Sequence, residues 1–71
     1  MGQERALGEL IRALTTDSAY RLALTERLAA RRIDDETLKA LIAYARSRQT
    51  TMGQAMARKV LTDAGVSWEA L

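Results

Sequence analysis

The 71-residue chain contains no histidine, no cysteine, no proline and no phenylalanine. Without histidine or cysteine it lacks the side chains that most often act as general base, thiol nucleophile or transition-metal ligand, and it forms no disulfide. The missing cysteine also removes any redox signature, so a cytoplasmic location is the default expectation. No stretch approaches the roughly 18 consecutive apolar residues that suggest a membrane span. Charges at Glu4, Arg5, Glu9 and Arg12 interrupt the N-terminal segment, which leaves no apolar signal-peptide core there.

What is present favours helix almost throughout. The length predicts a single domain over residues 1–71 with a thin core. No linker, low-complexity tract or internal repeat divides it. Leu7, Leu10, Ile11 and Leu14 follow the spacing of one helical face and predict a first helix over about residues 4–14. Gly8 within it marks either a close helix contact or a tolerated surface position. Thr15, Thr16, Asp17 and Ser18 are N-cap residues and open a second helix, about 17–31. Tyr20, Leu24 and Leu28 form its main stripe, while Leu22 and Ala29 fall on the far side. That helix is therefore either central to the bundle or carries a second, interface face.

A third helix, about 35–48, starts at Asp34 as N-cap, with Asp35 and Glu36 against the positive end of the helix dipole. Ile33 and Leu38 stand at the positions of a hydrophobic staple. Leu38, Leu41, Ile42 and Ala45 make its apolar face. Thr51 and Gln54 have capping-box spacing and open a fourth helix, about 52–63, with Met52, Ala55, Met56 and Val60 near one face. Gly65 followed by Val66 predicts a Schellman ending in which Val66 meets Leu61. Ser67 then caps a short C-terminal helical turn, in which Trp68 closes the bottom of the core. The expected fold is all-α, a compact bundle of four helices with that final turn.

Catalysis finds little support in the remaining residue types. Asp34, Asp35 and Glu36 are the one acidic cluster, and a helix cap accounts for them without a metal, which would need further oxygen ligands and an enclosing loop. No cofactor, no metal and no enzymatic activity are expected.

Charge is distributed unevenly. Residues 37–62 carry Lys39, Arg46, Arg48, Arg58 and Lys59 and no acid, a local charge of +5 in a chain whose net charge is +2. Ser47, Gln49, Thr50, Thr51 and Gln54 surround the turn within that segment. Such groups at a helix N-terminus bind phosphate oxygens. Residues 46–59 partly resemble a helix-turn-helix, with Ala45 as the small residue, Thr51 as the second cap and Ala55 pointing inward. The segment departs from the pattern at Gln49, where glycine is usual, and at Thr50, where an apolar residue is usual. Two other registers match no better: one around Ile33 and Asp34 has Leu28 and Arg32 at the small and glycine positions, and one at Gly65-Val66-Ser67 runs out of chain. On the nucleic-acid reading, Arg46, Arg48 and Arg58 meet phosphates, Thr50, Thr51 and Lys59 assist, and Gln54 lies nearest a base edge.

A second surface is apolar. Leu22, Tyr44, Met52, Met56 and Leu71 exceed what four short helices must bury, and methionine adapts well at binding surfaces. Leu22, beside Arg21 and Glu26, is the residue expected to be exposed at an interface rim, with Tyr44 and Met52 as further partner contacts. A membrane-surface role is disfavoured because the first two helices alternate acids with arginines. The leading expectation is a small soluble, non-enzymatic binding module, a regulator or adaptor that contacts a protein partner or a second copy of itself. Nucleic-acid binding through residues 46–59 is the alternative.

Overall fold

Short side chains with a free oxygen set where each of the later helices begins. The computed structural model describes residues 3–69, with side chains from Leu7 onward. Its helices are α1 (Gln3–Thr16), α2 (Ser18–Ala29), α3 (Asp35–Arg46) and α4 (Met52–Asp63), and no strand occurs among the described residues. Asp17 accepts a hydrogen bond from the Tyr20 amide at 3.1 Å to start α2. Asp34 accepts from the Thr37 amide at 3.1 Å to start α3. These two bonds satisfy donors that a helix N-terminus otherwise leaves open. The Asp34 carboxyl is held below its ordinary acidity range chiefly by that backbone bond and next by the Thr37 hydroxyl. At α4 the capping box is complete: Thr51 Oγ1 accepts from the Gln54 amide at 3.3 Å, and Gln54 Oε1 accepts from the Thr51 amide at 3.2 Å.

α1 and α4 form the inner pair and each packs on all three other helices, while α2 and α3 flank them on opposite sides without touching each other. The core consists of Leu14, Leu24, Leu28, Leu41, Ile42, Ala45, Ala57, Val60 and Leu61, with Ile33 and Leu38 packed at its edge as the staple requires. The Cα radius of gyration is 11.0 Å, about that of a compact chain of this length. No helix among the described residues is long and apolar enough to cross a membrane.

Two helix ends share one geometry and differ in residue type. After α4, the Val66 amide donates to Leu61 O at 2.8 Å and the Gly65 amide to Thr62 O at 3.0 Å, with Gly65 at φ 76°. These are the two bonds of a Schellman motif. After α2, the Arg32 amide donates to Arg27 O at 2.8 Å and the Arg31 amide to Leu28 O at 3.1 Å, with Arg31 at φ 59°. Glycine holds the left-handed position in the first case and arginine in the second, where Cβ sterics cost about 1–2 kcal/mol. Arg31→Gly is therefore expected to raise stability by about 1 kcal/mol, or roughly 4–8 °C in Tm. Thermal unfolding followed by circular dichroism checks this, and an unchanged or lower midpoint would contradict it.

Several expectations need correction. α2 ends at Ala29 rather than Arg31, because the Schellman turn begins there. α3 ends at Arg46 rather than Arg48, and α1 extends to Thr16. On α4, Met52 and Ala55 are exposed, and the buried face is Gly53, Gln54, Ala57, Val60 and Leu61. Helices crowd α4 closely at Gly53, where an added Cβ would run into the Tyr44 hydroxyl and lie 2.7 Å from Ile11 Cγ2. Gly8 has open space at the same construction and is a surface position. The expected C-terminal turn shows a bend at Trp68 and Glu69, and Leu71 lies outside the described residues.

Candidate functional site

The α3–α4 junction gathers most of the residues expected to touch nucleic acid and turns two of them inward. α3 leaves its last carbonyls without helical partners. Gln54 Nε2 donates to Tyr44 O at 3.2 Å. Arg58 Nε donates to Ala45 O at 2.7 Å, and its Nη2 to Ser47 O at 2.7 Å and Gln49 O at 3.4 Å. The guanidinium also lies 5.4 Å from the centre of the Trp68 ring, within cation–π range. Trp68 in turn donates its indole N–H to Thr62 Oγ1 at 3.0 Å. Gln54 is 1% exposed. The side chain expected nearest a base edge is thus an internal one, and the arginine beside it ties α4 to the end of α3.

The other members of that set stay outside. Arg46, Arg48 and Thr50 are exposed, and the two arginines make no ion pair among the described residues. Thr51 caps α4 and meets the Tyr44 hydroxyl at 3.3 Å. Lys59 pairs with Asp63 at 3.5 Å across one exposed turn, a contact that contributes little. Ala45 is buried as the helix-turn-helix comparison required, but Ala55 is exposed and the turn residues Gln49 and Thr50 bury nothing between the helices.

The three residues expected at a protein interface are not brought to one patch. Tyr44 is half-buried and packs against the core, and Met56 does the same. Met52 is 65% exposed at the start of α4, and Leu22 is 63% exposed on α2. Leu22 shares a groove between α2 and α4 with Ser18, Arg21, Thr25, Lys59, Val60 and Asp63. The groove takes Lys59, Val60 and Asp63 from the last turns of α4, so Met52 at its start lies about 10–16 Å from them along the axis.

Around Leu22 the outward side of α2 carries mostly small side chains. Ala19, Ala23, Glu26, Ala29 and Ala30 are exposed beside it, at the i, i+3, i+4, i+7 spacing of one helix face. Among the described residues α2 meets only α1 and α4, so no other described helix covers this side. Arg21, at its inner edge, donates Nη1–H to Leu14 O at 2.6 Å and holds the end of α1. Sequence reasoning missed the structural roles of Arg21 and Arg58. One signal was available: both fall beside core positions, Leu24 in one case and Ala57 and Leu61 in the other.

No group of three or more histidine, cysteine, aspartate or glutamate side chains is placed to hold a metal ion among the described residues. In comparisons with known proteins, no family model matches the chain, and no curated protein or solved structure proves similar to it.

Proposed function

We propose that the protein is a non-enzymatic helical binding module, a regulator or adaptor that works by protein–protein contact through the outward face of α2. The observation that carries this reading is Leu22, 63% exposed on a helix side that no other helix among the described residues covers, and flanked by alanines. Small side chains let a partner backbone approach closely, and a projecting leucine adds apolar area to the contact. The nucleic-acid alternative keeps Arg46, Arg48, Thr50, Thr51 and Lys59 as exposed groups of its original set, with Thr51 engaged as a helix cap and Lys59 paired with Asp63. Affinity for a duplex grows with the number of phosphates neutralised, and two unpaired arginines supply little of it.

The test is photo-crosslinking from a label at position 23, comparing the wild-type chain with Leu22→Asp and with an Arg46→Glu/Arg48→Glu variant. A protein adduct that disappears with Leu22→Asp and persists with the double charge reversal supports the reading. Loss with the charge reversal and persistence with Leu22→Asp would overturn it and favour the basic turn. All three chains should have the same helical circular dichroism, because every substituted side chain is exposed.

A further inference from the structure

Arg58 stands between two irregular segments, the α3–α4 turn at 47–51 and the chain after α4 at 65–69. A guanidinium carries its N–H donors along a planar edge and can still lie over an aromatic ring. Arg58 uses both properties at once. Its N–H groups serve Ala45 O, Ser47 O and Gln49 O, and its centre lies over the Trp68 ring.

Trp68 reaches Arg58 because Gly65 turns the chain back. Gly65 holds φ 76° in the Schellman ending, and Val66 and Trp68 then pack at the edge of the core. The indole N–H donates to Thr62 Oγ1 at 3.0 Å while the ring meets Arg58. Thr62 and Arg58 are four residues apart and therefore neighbours on one side of α4, so the half-buried indole spans one helical turn. On the far side of Arg58, Arg48, Gln49 and Thr50 are exposed, and the carbonyls of Ser47 and Gln49 depend on its guanidinium.

We propose that residues 65–69 form a strap whose latch, Trp68 on Arg58, governs the order of the α3–α4 turn. The device is independent of the docking role of α2. When the latch is closed, the ring restricts the guanidinium to one orientation and shields it from water, which strengthens its bonds to the turn carbonyls. When Trp68 leaves, Arg58 regains rotamer freedom and the turn loses that hold. Arg48 and Thr50 are presented by this turn, so their order follows the strap. Linkage makes the effect reciprocal: whatever draws Trp68 away loosens the turn, and whatever fixes the turn tightens Trp68 by the same factor.

Native-state hydrogen exchange at low urea, read by NMR, tests this. The Ser47 and Thr51 amides are hydrogen-bonded at the two ends of the turn, and the Gly65 and Val66 amides at the root of the strap. All four should share one opening equilibrium, separate from that of the Leu24 and Leu28 amides in α2. Trp68→Leu keeps apolar bulk and loses the ring. It should speed exchange at Ser47, Thr51 and the Arg58 Nε–H roughly 2–5-fold beyond any change at Leu24 and Leu28. Trp68→Phe restores a ring without the indole N–H and should recover most of that loss. Separate openings for turn and strap overturn the proposal, as does a Trp68→Leu chain whose turn amides change no more than those of α2. Equal behaviour of the leucine and phenylalanine variants would make Trp68 an apolar filler and refute the latch. If Trp68→Leu does not fold, the native chain and Trp68→Phe still decide: separate openings, or turn amides in the phenylalanine variant as fast as those of Arg58→Ala, refute it.

Discussion

Arg58→Ala is expected to lower the stability of the domain by about 2 kcal/mol, or roughly 8–16 °C in Tm. On the surface this residue looks like one more cation in a basic segment. In the fold its guanidinium donates to Ala45 O, Ser47 O and Gln49 O and stacks near Trp68. Alanine removes the charge-assisted bonds and leaves the carbonyls of Ala45 at the end of α3 and of Ser47 and Gln49 beyond it to water or to nothing. It also frees the chain after α4, because Trp68 loses the cation against its face. Arg58→Lys keeps the charge and loses the planar fork, so it should recover only part of the loss. Urea unfolding of the three chains measures both effects. A loss under about 0.5 kcal/mol for Arg58→Ala, the range of ordinary surface substitutions, would show that the side chain is a surface charge after all.

Gly53→Ala is expected to destabilise by about 2 kcal/mol, although the same change on an open helix surface gains about 1 kcal/mol. The sign turns on what the new methyl meets. Tyr44 from α3 and Ile11 from α1 both close over Gly53, with Ile11 Cγ2 2.7 Å from the site of an added Cβ. The methyl must push one of those helices away or drive a side chain off its rotamer. Tyr44→Phe removes the hydroxyl that presses hardest and should return part of the loss when combined with Gly53→Ala. The double-mutant cycle then shows coupling of about 0.5–3 kcal/mol between the two positions. Simple additivity would mean that the helices yield elsewhere and that the junction is looser than its geometry. At Gly8, which has open space, the alanine change should stabilise.

These two residues also mark where sequence reasoning stopped. The caps at Asp34 and Thr51, the staple of Ile33 and Leu38 and the ending at Gly65 were legible, because each is a local bond between residues a few positions apart. The face of α3 was legible for a related reason: Leu41, Ile42 and Ala45 repeat at helical spacing against polar neighbours. The face of α4 was misread because burial there follows space rather than hydrophobicity. An inner helix crowded by three others takes Gly53 and Ala57 inward and sends Met52 out. Gln54 goes inward too, since the capping box and the Tyr44 carbonyl satisfy its amide. Arg58 serves a carbonyl 13 residues away and Arg21 one 7 residues away; their places beside core positions hinted at an inward role, but not at these partners. Arg31 gave no signal because glycine is the residue usually found in its conformation. In the candidate site the exposure of Leu22 was legible from its angle on α2, opposite Tyr20, whereas the groove beside it required knowing that α4 packs there.

The joint between α1 and α2 is a single residue, Asp17, whose amide still donates to Ala13 O at 2.9 Å while its carbonyl accepts from Arg21 at 3.1 Å. Nothing there can absorb a change in chain length. One inserted codon would advance α2 by about 100° of rotation and about 1.5 Å, carrying Leu24 and Leu28 out of the core and Leu22 with its alanines toward it. The five residues 47–51 between α3 and α4 are tied by other means: Arg58 holds the Ser47 and Gln49 carbonyls, and Thr51 caps α4. A lineage built on this fold must therefore inherit the first two helices as one unbroken reading frame of fixed length.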